Sequence, residues 1–367
     1  MVRKRNEKPV KRRRLPAVSI IVVNYNGGDY LKDCFESLSK INYPKDKYEV
    51  IMADNASSDS SVEYAKNNFE FVKVIEFEKN CGFGGGNNRA AKIAKGEYLA
   101  FLNNDTQVDN NWLMECVKYI VGERKTICSS SMLNYYARDK IAGSVVKMTS
   151  FGMPLATDMG VGYSPQERSA QYIFYPIGSG MLIRRDAFLS LGGFDSSYFM
   201  YGEDVSLGWK AWLWGYKVVT VPSSIYWHRV RGSLSKGSRS PMYIYLMWRN
   251  NLLNILKYAD FWNLMKMLLL FSMASVGSSI FFLKKREFSL IVAIFRSYLS
   301  FTKSSHVTLG ERKSIQSKRM ISDAELYEKG IFLPIGNSIR EAMRFMRKVG
   351  VWQSQKKDSS KRGYHGI

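Results

Sequence analysis

Three acidic sites in this 367-residue sequence could do chemistry. The first is Asn103-Asn104-Asp105, at the end of the apolar run Tyr98-Leu99-Ala100-Phe101-Leu102. Such a run reads as a buried strand of a parallel sheet, and ligands of open α/β sheets bind beyond the carboxyl ends of the strands. Asp105 then stands at the mouth of that crevice, where a hard carboxylate suits Mg²⁺ or Mn²⁺ held jointly with substrate phosphates. A plain turn after a strand accounts for the same three residues. The second site is Asp54, which ends another apolar run, with Asp59 close behind. Alone, Asp54 is as good a helix cap as a ligand, and Asp59 reads better as a cap. The third is Glu203-Asp204, an acidic pair in a block otherwise built of aromatics and glycine. Acidic residues at a helix start favour the helix dipole. Two consecutive helical carboxylates also point about 100° apart, so one can face a ligand while its neighbour serves the structure. His228 is one of three histidines, the others at 306 and 364; a lone histidine is either a satisfied structural residue or a metal ligand.

The elements that must position these residues follow in a regular series. A strand over 17–23 turns at Asn24-Tyr25-Asn26-Gly27-Gly28, and Asp29 caps a helix with Leu31, Cys34, Phe35 and Leu38 at helical spacing. A second strand over 48–53 ends in Asp54-Asn55-Ala56-Ser57-Ser58-Asp59, and Ser60 and Ser61 cap the next helix. A third over 71–77 leads through a glycine-rich loop, Gly82–Asn88, to an Ala-rich helix ending at Lys95. The run at 98 is the fourth strand; 112–121 reads as helix and 126–132 as a fifth strand. Strand–helix alternation at about thirty residues predicts a doubly wound α/β sheet. Right-handed crossovers then bring Asn24/Asn26, Asp54/Asp59 and Asn103/Asp105 to one edge. Residues 134–172 read as irregular, a mobile loop over the site. Order returns at 178–185, with Asp186 capping a short helix, then an aromatic helix over 205–214 closed by Gly215, and a strand over 217–221.

The formal net charge is +22, from 54 basic and 32 acidic residues. That balance calls for an anionic partner: nucleic acid, an acidic membrane surface or phosphorylated substrates. Basic residues cluster in the tails rather than among exposed aromatics on the domain, which argues against nucleic acid. Four cysteines, at 34, 81, 116 and 128, show no metal-site spacing and read as reduced and mostly buried in a cytosolic compartment. The basic N-terminus lacks the apolar stretch of a signal peptide, since Val18–Val23 stops at Asn24.

Six blocks in this order are specific together: VSIIVVNYNGGDYLKDCFESL, DNASSD, NCGFGGGNNRA, YLAFLNNDT, GSGMLIRRDAFLSLGGFD and FMYGEDVSLGWKAWLWGY. Over about residues 17–235 the chain resembles an inverting family-2 glycosyltransferase of the GT-A fold, close to rhamnosyltransferase-like members. The resemblance implies a Rossmann-like, doubly wound mixed sheet. It implies a nucleotide-sugar donor (UDP-, dTDP- or GDP-linked) and a glycan or polyprenyl-linked acceptor. Asn24, Tyr25, Asn26 and Asp54 would hold the base and ribose, and Asn80 with Gly82–Asn88, Asn87 included, would line the nucleoside pocket. Gly180 would belong to the donor site, and Arg89 could reach phosphate. Asn103-Asn104-Asp105 takes the place of the family's DxD motif, with Asp105 on the metal. Asn103 replaces its first aspartate and would be a weaker ligand or contact the donor sugar. Asp204 would be the general base beside Glu203. Relatives often carry another aspartate where this chain has Ser206. His228, followed by Arg229, Arg231 and Ser233, would contact the metal or the diphosphate.

After about residue 241 the composition changes. Met267–Leu283 is seventeen residues without charge, about 25 Å as a helix and short of a roughly 30 Å hydrocarbon core. Lys284-Lys285-Arg286 follow, then 288–301, broken by Arg296. A single span would export a basic tail against the positive-inside tendency. The sequence therefore predicts in-plane helices or a shallow hairpin on an anionic membrane surface, at the cytoplasmic face. Ser338-Ile339-Arg340-Glu341 reads as a capping box opening a short basic helix that ends at Gly350. The resulting map is a basic disordered arm over 1–16, a catalytic domain over 17–240, membrane-associated helices over 241–302 and a basic tail with a disordered end over 303–367. Two other functions compete: a processive polysaccharide synthase, whose several spans and Q-x-x-R-W block are not found, and a basic scaffold that binds nucleic acid or membrane without catalysis.

Overall fold

The computed structural model describes residues 15–229 and 240–361. Most of the expected basic arm, Arg231, Ser233 and residues 362–367 lie outside them. The chain builds β1 (Val18–Asn24), α1 (Gly28–Ser39), β2 (Tyr48–Asp54), α2 (Ser61–Asn68), β3 (Val72–Glu76), α3 (Gly82–Ile93) and β4 (Tyr98–Asn103). Next come β5 (Thr106–Val108), α4 (Trp112–Ile120), β6 (Thr126–Asn134), β7 (Ile141–Gly143), β8 (Val146–Met148), β9 (Pro154–Ala156) and β10 (Gln171–Tyr172). Then follow β11 (Gly180–Arg184), α5 (Arg185–Ser190), α6 (Glu203–Leu213) and β12 (Lys217–His228). Five helices close the chain: α7 (Pro241–Tyr258), α8 (Phe261–Lys284), α9 (Phe288–Gln316), α10 (Asp323–Glu328) and α11 (Ile335–Lys361).

One mixed sheet dominates, in the order β10-β12-β6-β11-β4-β1-β2-β3, with β5 on β12 and β7 on β6. Strands β4, β1, β2 and β3 are parallel, and β12 is parallel to β6. β11 runs against both its neighbours. Alternation along β1 fixes the two layers. Val18, Ile20 and Val22 pack with α1, α2 and α4 on one face, while Ile21 joins α3, α5 and α6 on the other. Cys34, Cys116 and Cys128 are buried and all four cysteines are free.

Several local expectations change. The glycines at 82–88 form no loop; they lie in the first turns of α3. The missing side chains let α3 approach its neighbours closely. A Cβ on Gly86 would lie 3.0 Å from the Asn55 amide, and one on Gly84 3.1 Å from Phe194 Cβ. Asp29, Ser60 and Asp186 do not cap by side chain, since the helix N-caps at Gly27, Ser60 and Arg184 show no such bond. Asp59 instead staples two helix starts, accepting from Gly28 N (3.1 Å) and Ser61 N (3.2 Å). Residues 134–172 are not a loose loop. β8 and β9 form a hairpin, and Val145, Val146 and Met148 enter the main core.

That core does not stop at residue 240. Leu252, Ile255 and Tyr258 of α7, Met267 and Phe271 of α8, and Ile331 and Phe332 share it with the sheet. At α11, Ser338 is not a cap. Its N–H already donates to Pro334 O (2.8 Å), and its hydroxyl donates to Leu333 O (2.9 Å) and accepts from Ser150 N (2.9 Å). The helix passes Gly350 and continues to Lys361. The capping box that forms is Ser322 with Glu325, at the start of α10. The apolar segment is also longer than expected. α8 has 24 residues, long and apolar enough to cross a membrane by length and composition.

Candidate active site

The strand directions collect the polar residues at one edge. Asn24, Asp54 and Asn103 end the parallel strands β1, β2 and β4, with Asn24 opposite Asp54 and Asn103 opposite Val23. β11 runs the other way, so its N-terminal Gly180 lies beside Leu102 at that edge. His228 ends β12 opposite Thr106. On the β1–β2 side the polar residues bind one another. Asn24 Nδ2 donates to Asp54 Oδ1 (2.9 Å), Ser57 Oγ (3.1 Å) and Ser61 Oγ (2.9 Å), and Asn24 Oδ1 accepts from Asn104 Nδ2 (2.7 Å). Asp54 also accepts from Ser57 N (2.8 Å) and Ser57 Oγ (2.6 Å). Asn26, at φ 49°, accepts from Ser58 N (2.7 Å). Tyr25 between them is 52% exposed. Asn80 Oδ1 accepts from Gly82 N (2.8 Å) at the mouth of α3, and Asn87 Nδ2 donates back to Phe83 O (3.0 Å). Arg89 is exposed and lies 5.1 Å from the Phe77 ring centre.

Toward β12 the edge becomes ionic. His228 Nε2 lies 2.9 Å from Asp105 Oδ1 and 3.3 Å from Asn103 Nδ2. Burial pushes the Asp105 carboxyl up, but His228 and Arg229 outweigh it and hold it below the usual carboxylate range. His228 Nδ1 and Asn103 Oδ1 are buried without a hydrogen-bond partner among the described residues. A carboxylate, an imidazole and an amide oxygen suit a divalent cation, Mn²⁺ better than Mg²⁺ because imidazole is the softer donor. Among the described residues no three His, Cys, Asp or Glu side chains converge, so phosphate oxygens and water would supply the remaining ligands. The residues present fit such an ion. Arg229 is held beside them. It pairs with Asp33, donates to Tyr135 Oη (2.9 Å) and stacks 4.1 Å from the Tyr135 ring centre.

The acidic pair opens α6, and its carboxylates part company as helical spacing requires. Glu203 is 5% exposed with Oε2 unpartnered, and its Cβ lies near Gly84 of α3. Asp204 is half-buried, accepting from Val205 N (2.8 Å) and more weakly from Gly178 N (3.4 Å). Burial pushes both carboxyls above the usual range; the Asp204 charge pushes Glu203 further, and backbone N–H groups partly offset the rise at Asp204. Tyr226 joins the two halves. Its hydroxyl bonds Ser179 Oγ at 2.9 Å, and its phenol, raised by burial, also feels both Asp105 and Asp204. Gly180 makes room for that ring, which a Cβ would overlap.

Residues 19–192 match the family model for glycosyl transferase family 2. The chain carries a family-2 glycosyltransferase domain. A rhamnosyltransferase, WbbL of Escherichia coli K12, is 27% identical over 225 residues, 56% of this chain and 81% of that protein. A poly(ribitol-phosphate) β-glucosyltransferase of Bacillus spizizenii is 39% identical over 101 residues, 26% of this chain and 16% of that protein. Several of the most similar curated relatives are much longer, and this chain spans only about a sixth to a third of their length. Among solved structures, Staphylococcus aureus TarS 1-349 in complex with UDP-GlcNAc aligns over 87% of this chain and 93% of that one, with TM-score 0.55 and 18% identity. GalNAc-T7 with UDP, GalNAc and Mn²⁺ aligns over 67% of this chain and 49% of that one, with TM-score 0.55 and 23% identity. The glycosyltransferase domain therefore has the GT-A fold.

The structure gathers Asn24, Asn26, Asp54, Asn104, Asn103, Asp105, His228, Gly180 and Asp204 at one edge. Asn87 lies within α3, with one amide oxygen buried and unpartnered. Sequence reasoning missed Tyr226, Ser179 and Asn55, and it placed Asn88 in the nucleoside pocket without its bonds to Phe194. Asn55 Nδ2 donates to Gly82 O (3.0 Å), and Asn88 exchanges two hydrogen bonds with Phe194. Each lies in a quoted block or beside His228, but none has a residue type that marks it. The role of Asp33 toward Arg229 carried no local signal, because 196 positions separate them.

Proposed function

We propose that this glycosyltransferase moves a sugar from a nucleoside-diphosphate donor to a hydroxyl of a glycan or lipid-linked glycan, with inversion. One observation carries the reading: an Asp105–His228 pair and a separate, raised carboxyl on Asp204 flank Tyr226 at the open edge of a GT-A sheet. The presence of UDP, UDP-GlcNAc or GDP-Man in neighbouring structures supports a nucleotide-sugar donor. Asp105 and His228, with Asn103, would hold Mg²⁺ or Mn²⁺, which would offset charge building on the diphosphate. Asn24, Asn26, Asp54 and Asn104 shape the nucleoside end, with Tyr25 free to lie against a base. Asp204 takes the acceptor hydroxyl proton. The acceptor oxygen forms its bond to the anomeric carbon from the face opposite the nucleotide. The bond to the phosphate oxygen breaks, and the nucleoside diphosphate leaves. The test is turnover of UDP-, dTDP- and GDP-linked sugars with Mg²⁺ or Mn²⁺. Turnover of at least one donor that disappears in Asp204→Asn is the expected result; no turnover of any, or metal-independent turnover, overturns the reading.

The same proposal places the chain on an anionic membrane, at its cytoplasmic face. On α8, Trp262, Met265, Leu269, Met273, Val276, Ile280 and Leu283 are exposed, at three- and four-residue spacing along one stripe. Asn263, Met267, Phe271 and Ser275 are buried on the other side. Phe288, Val292, Phe295 and Leu299 continue the exposed surface on α9, and Lys284-Lys285-Arg286 sits at the bend. An apolar surface of this extent marks an interaction site, and the basic bend suits acidic headgroups. Met273→Glu with Phe295→Glu should abolish co-sedimentation with phosphatidylglycerol vesicles; unchanged co-sedimentation overturns it.

A further inference from the structure

Helix α7 carries three asparagines in its buried stretch, and two of them one turn apart, Asn250 and Asn254, are each 1% exposed. A buried amide is costly unless its polar atoms are bonded, and here they are. Asn250 Nδ2 donates to Met200 O (3.0 Å) and to Tyr201 O, while Asn250 Oδ1 accepts from Arg249 Nε (2.8 Å). Asn254 Nδ2 donates to Gly202 O (3.1 Å), and Asn254 Oδ1 accepts from Tyr198 Oη (3.0 Å). Two side chains one turn apart thus grip three consecutive carbonyls. Those carbonyls belong to a left-handed stretch, with Tyr201 at φ 68° and Gly202 at φ 93°. A tyrosine holds that conformation only where its surroundings over-determine it. Gly202 is the residue before α6, so the direction in which Glu203 and Asp204 leave the turn follows from it. One turn further, Tyr258 Oη of α7 and Ser206 Oγ of α6 lie 2.6 Å apart.

We propose that Asn250 and Asn254 are positioning residues for the acidic pair: they hold residues 200–202 in the left-handed turn and so aim the Asp204 carboxylate into the crevice. The proposal rests on Asp204 being the base. Both asparagines lie beyond the stretch matched by the family model, which ends at 192. The titratable groups that interact with the pair are Tyr175, Tyr201, Tyr226 and Asp195; Lys257 of α7 holds Asp195 at 2.5 Å, and Tyr243 of α7 packs on the Tyr201 ring. A turn that relaxes would release Asp204 from its buried setting, and its titration would fall back toward that of an ordinary carboxylate.

The experiment compares Asn250→Ala, Asn254→Ala and Tyr198→Phe in the full chain, using the donor turned over fastest in the screen above. The alanine variants should lose about 10–100-fold in kcat, the scale of a misplaced reacting group. Donor KM should hold, and the acid limb of the kcat profile should move to lower pH. Tyr198→Phe removes only the bond that orients Asn254 and keeps the shape, so it should shift both readouts the same way by less. In an Asp204→Asn background, Asn254→Ala should add no further loss. Lowered melting temperature with unchanged kcat and an unmoved acid limb overturns the proposal. If the alanine variants do not fold, an unchanged kcat and limb in Tyr198→Phe overturns it. Near-normal kcat in Asp204→Asn removes the base reading and this proposal together. An inactive Asp204→Asn beside an unaffected Asn254→Ala removes the positioning role alone.

Discussion

The two flanks of the crevice are held in opposite ways. On the Asp54 flank, Asn24, Asp54, Ser57, Ser61 and Asn104 satisfy one another. On the Asp204 flank, Glu203 keeps a carboxyl oxygen unpartnered among the described residues, and the turn before it is left-handed over two residues. Its orientation comes from side chains about fifty positions downstream. A self-satisfied network makes a rigid wall. A strained, partly unpaired one keeps its carboxylates poised, at a cost that the surrounding helices offset.

Substitutions on each flank should separate these behaviours. The largest effect is expected from Asp204→Asn. Positioned general-base catalysis contributes about 10²–10⁴-fold, so kcat should fall by that factor while donor affinity holds; near-normal kcat would dissolve the contrast between the flanks. Asp105→Ala comes next. Removing one group that stabilises developing charge costs about 10²–10³-fold. Here metal-dependent nucleotide binding should weaken too, as read by titration with UDP and Mn²⁺. Asn24→Ala should act chiefly on stability. It strands Asp54, Ser61 and Asn104, and a buried group left without its partner costs about 1–3 kcal/mol; a denaturant midpoint equal to wild type would refute a structural role for the network. The smallest effect is expected from Glu203→Gln, and it depends on pH. The folded protein favours the protonated Glu203, so that side chain's contribution to stability is present below the unfolded carboxyl pKa and lost as pH rises through the raised folded value. Gln mimics the protonated form. The variant should therefore match wild type near pH 4 and melt about 2–4 °C higher at pH 8. A gap that narrows with rising pH would be the wrong sign.

What the sequence made legible follows the same division. The parallel strands, their polar ends and the shared edge were readable because apolar runs and turn residues are local patterns. The side chain that holds the turn before Asp204 and the partner of Arg229 were not, because Asn254 and Asp33 are ordinary residue types far away in the chain. The pattern S-x-x-E precedes helical runs at Ser60, Ser322 and Ser338, and of these only Ser322 forms the capping box. At Ser338 the tertiary contact with Ser150 takes the hydroxyl. The glycine run at 82–88 read as a loop because glycine lowers helix propensity. Close approach to Asn55 and Phe194 outweighed that preference. The extra length of α8 was hidden because Lys266 interrupts the uncharged run without interrupting the helix.

The reversed strand β11 has a consequence for how the chain is made. It fills the slot between β4 and β6, yet it is synthesised some fifty residues after β6. Until residues 180–184 emerge from the ribosome, the apolar strand Tyr98–Asn103 has β1 on one side and an open edge on the other. Unpaired apolar edges recruit other strands. A nascent chain stalled or cleaved between 134 and 180 should therefore aggregate, whereas one released after β11 has docked gains a closed centre to its sheet.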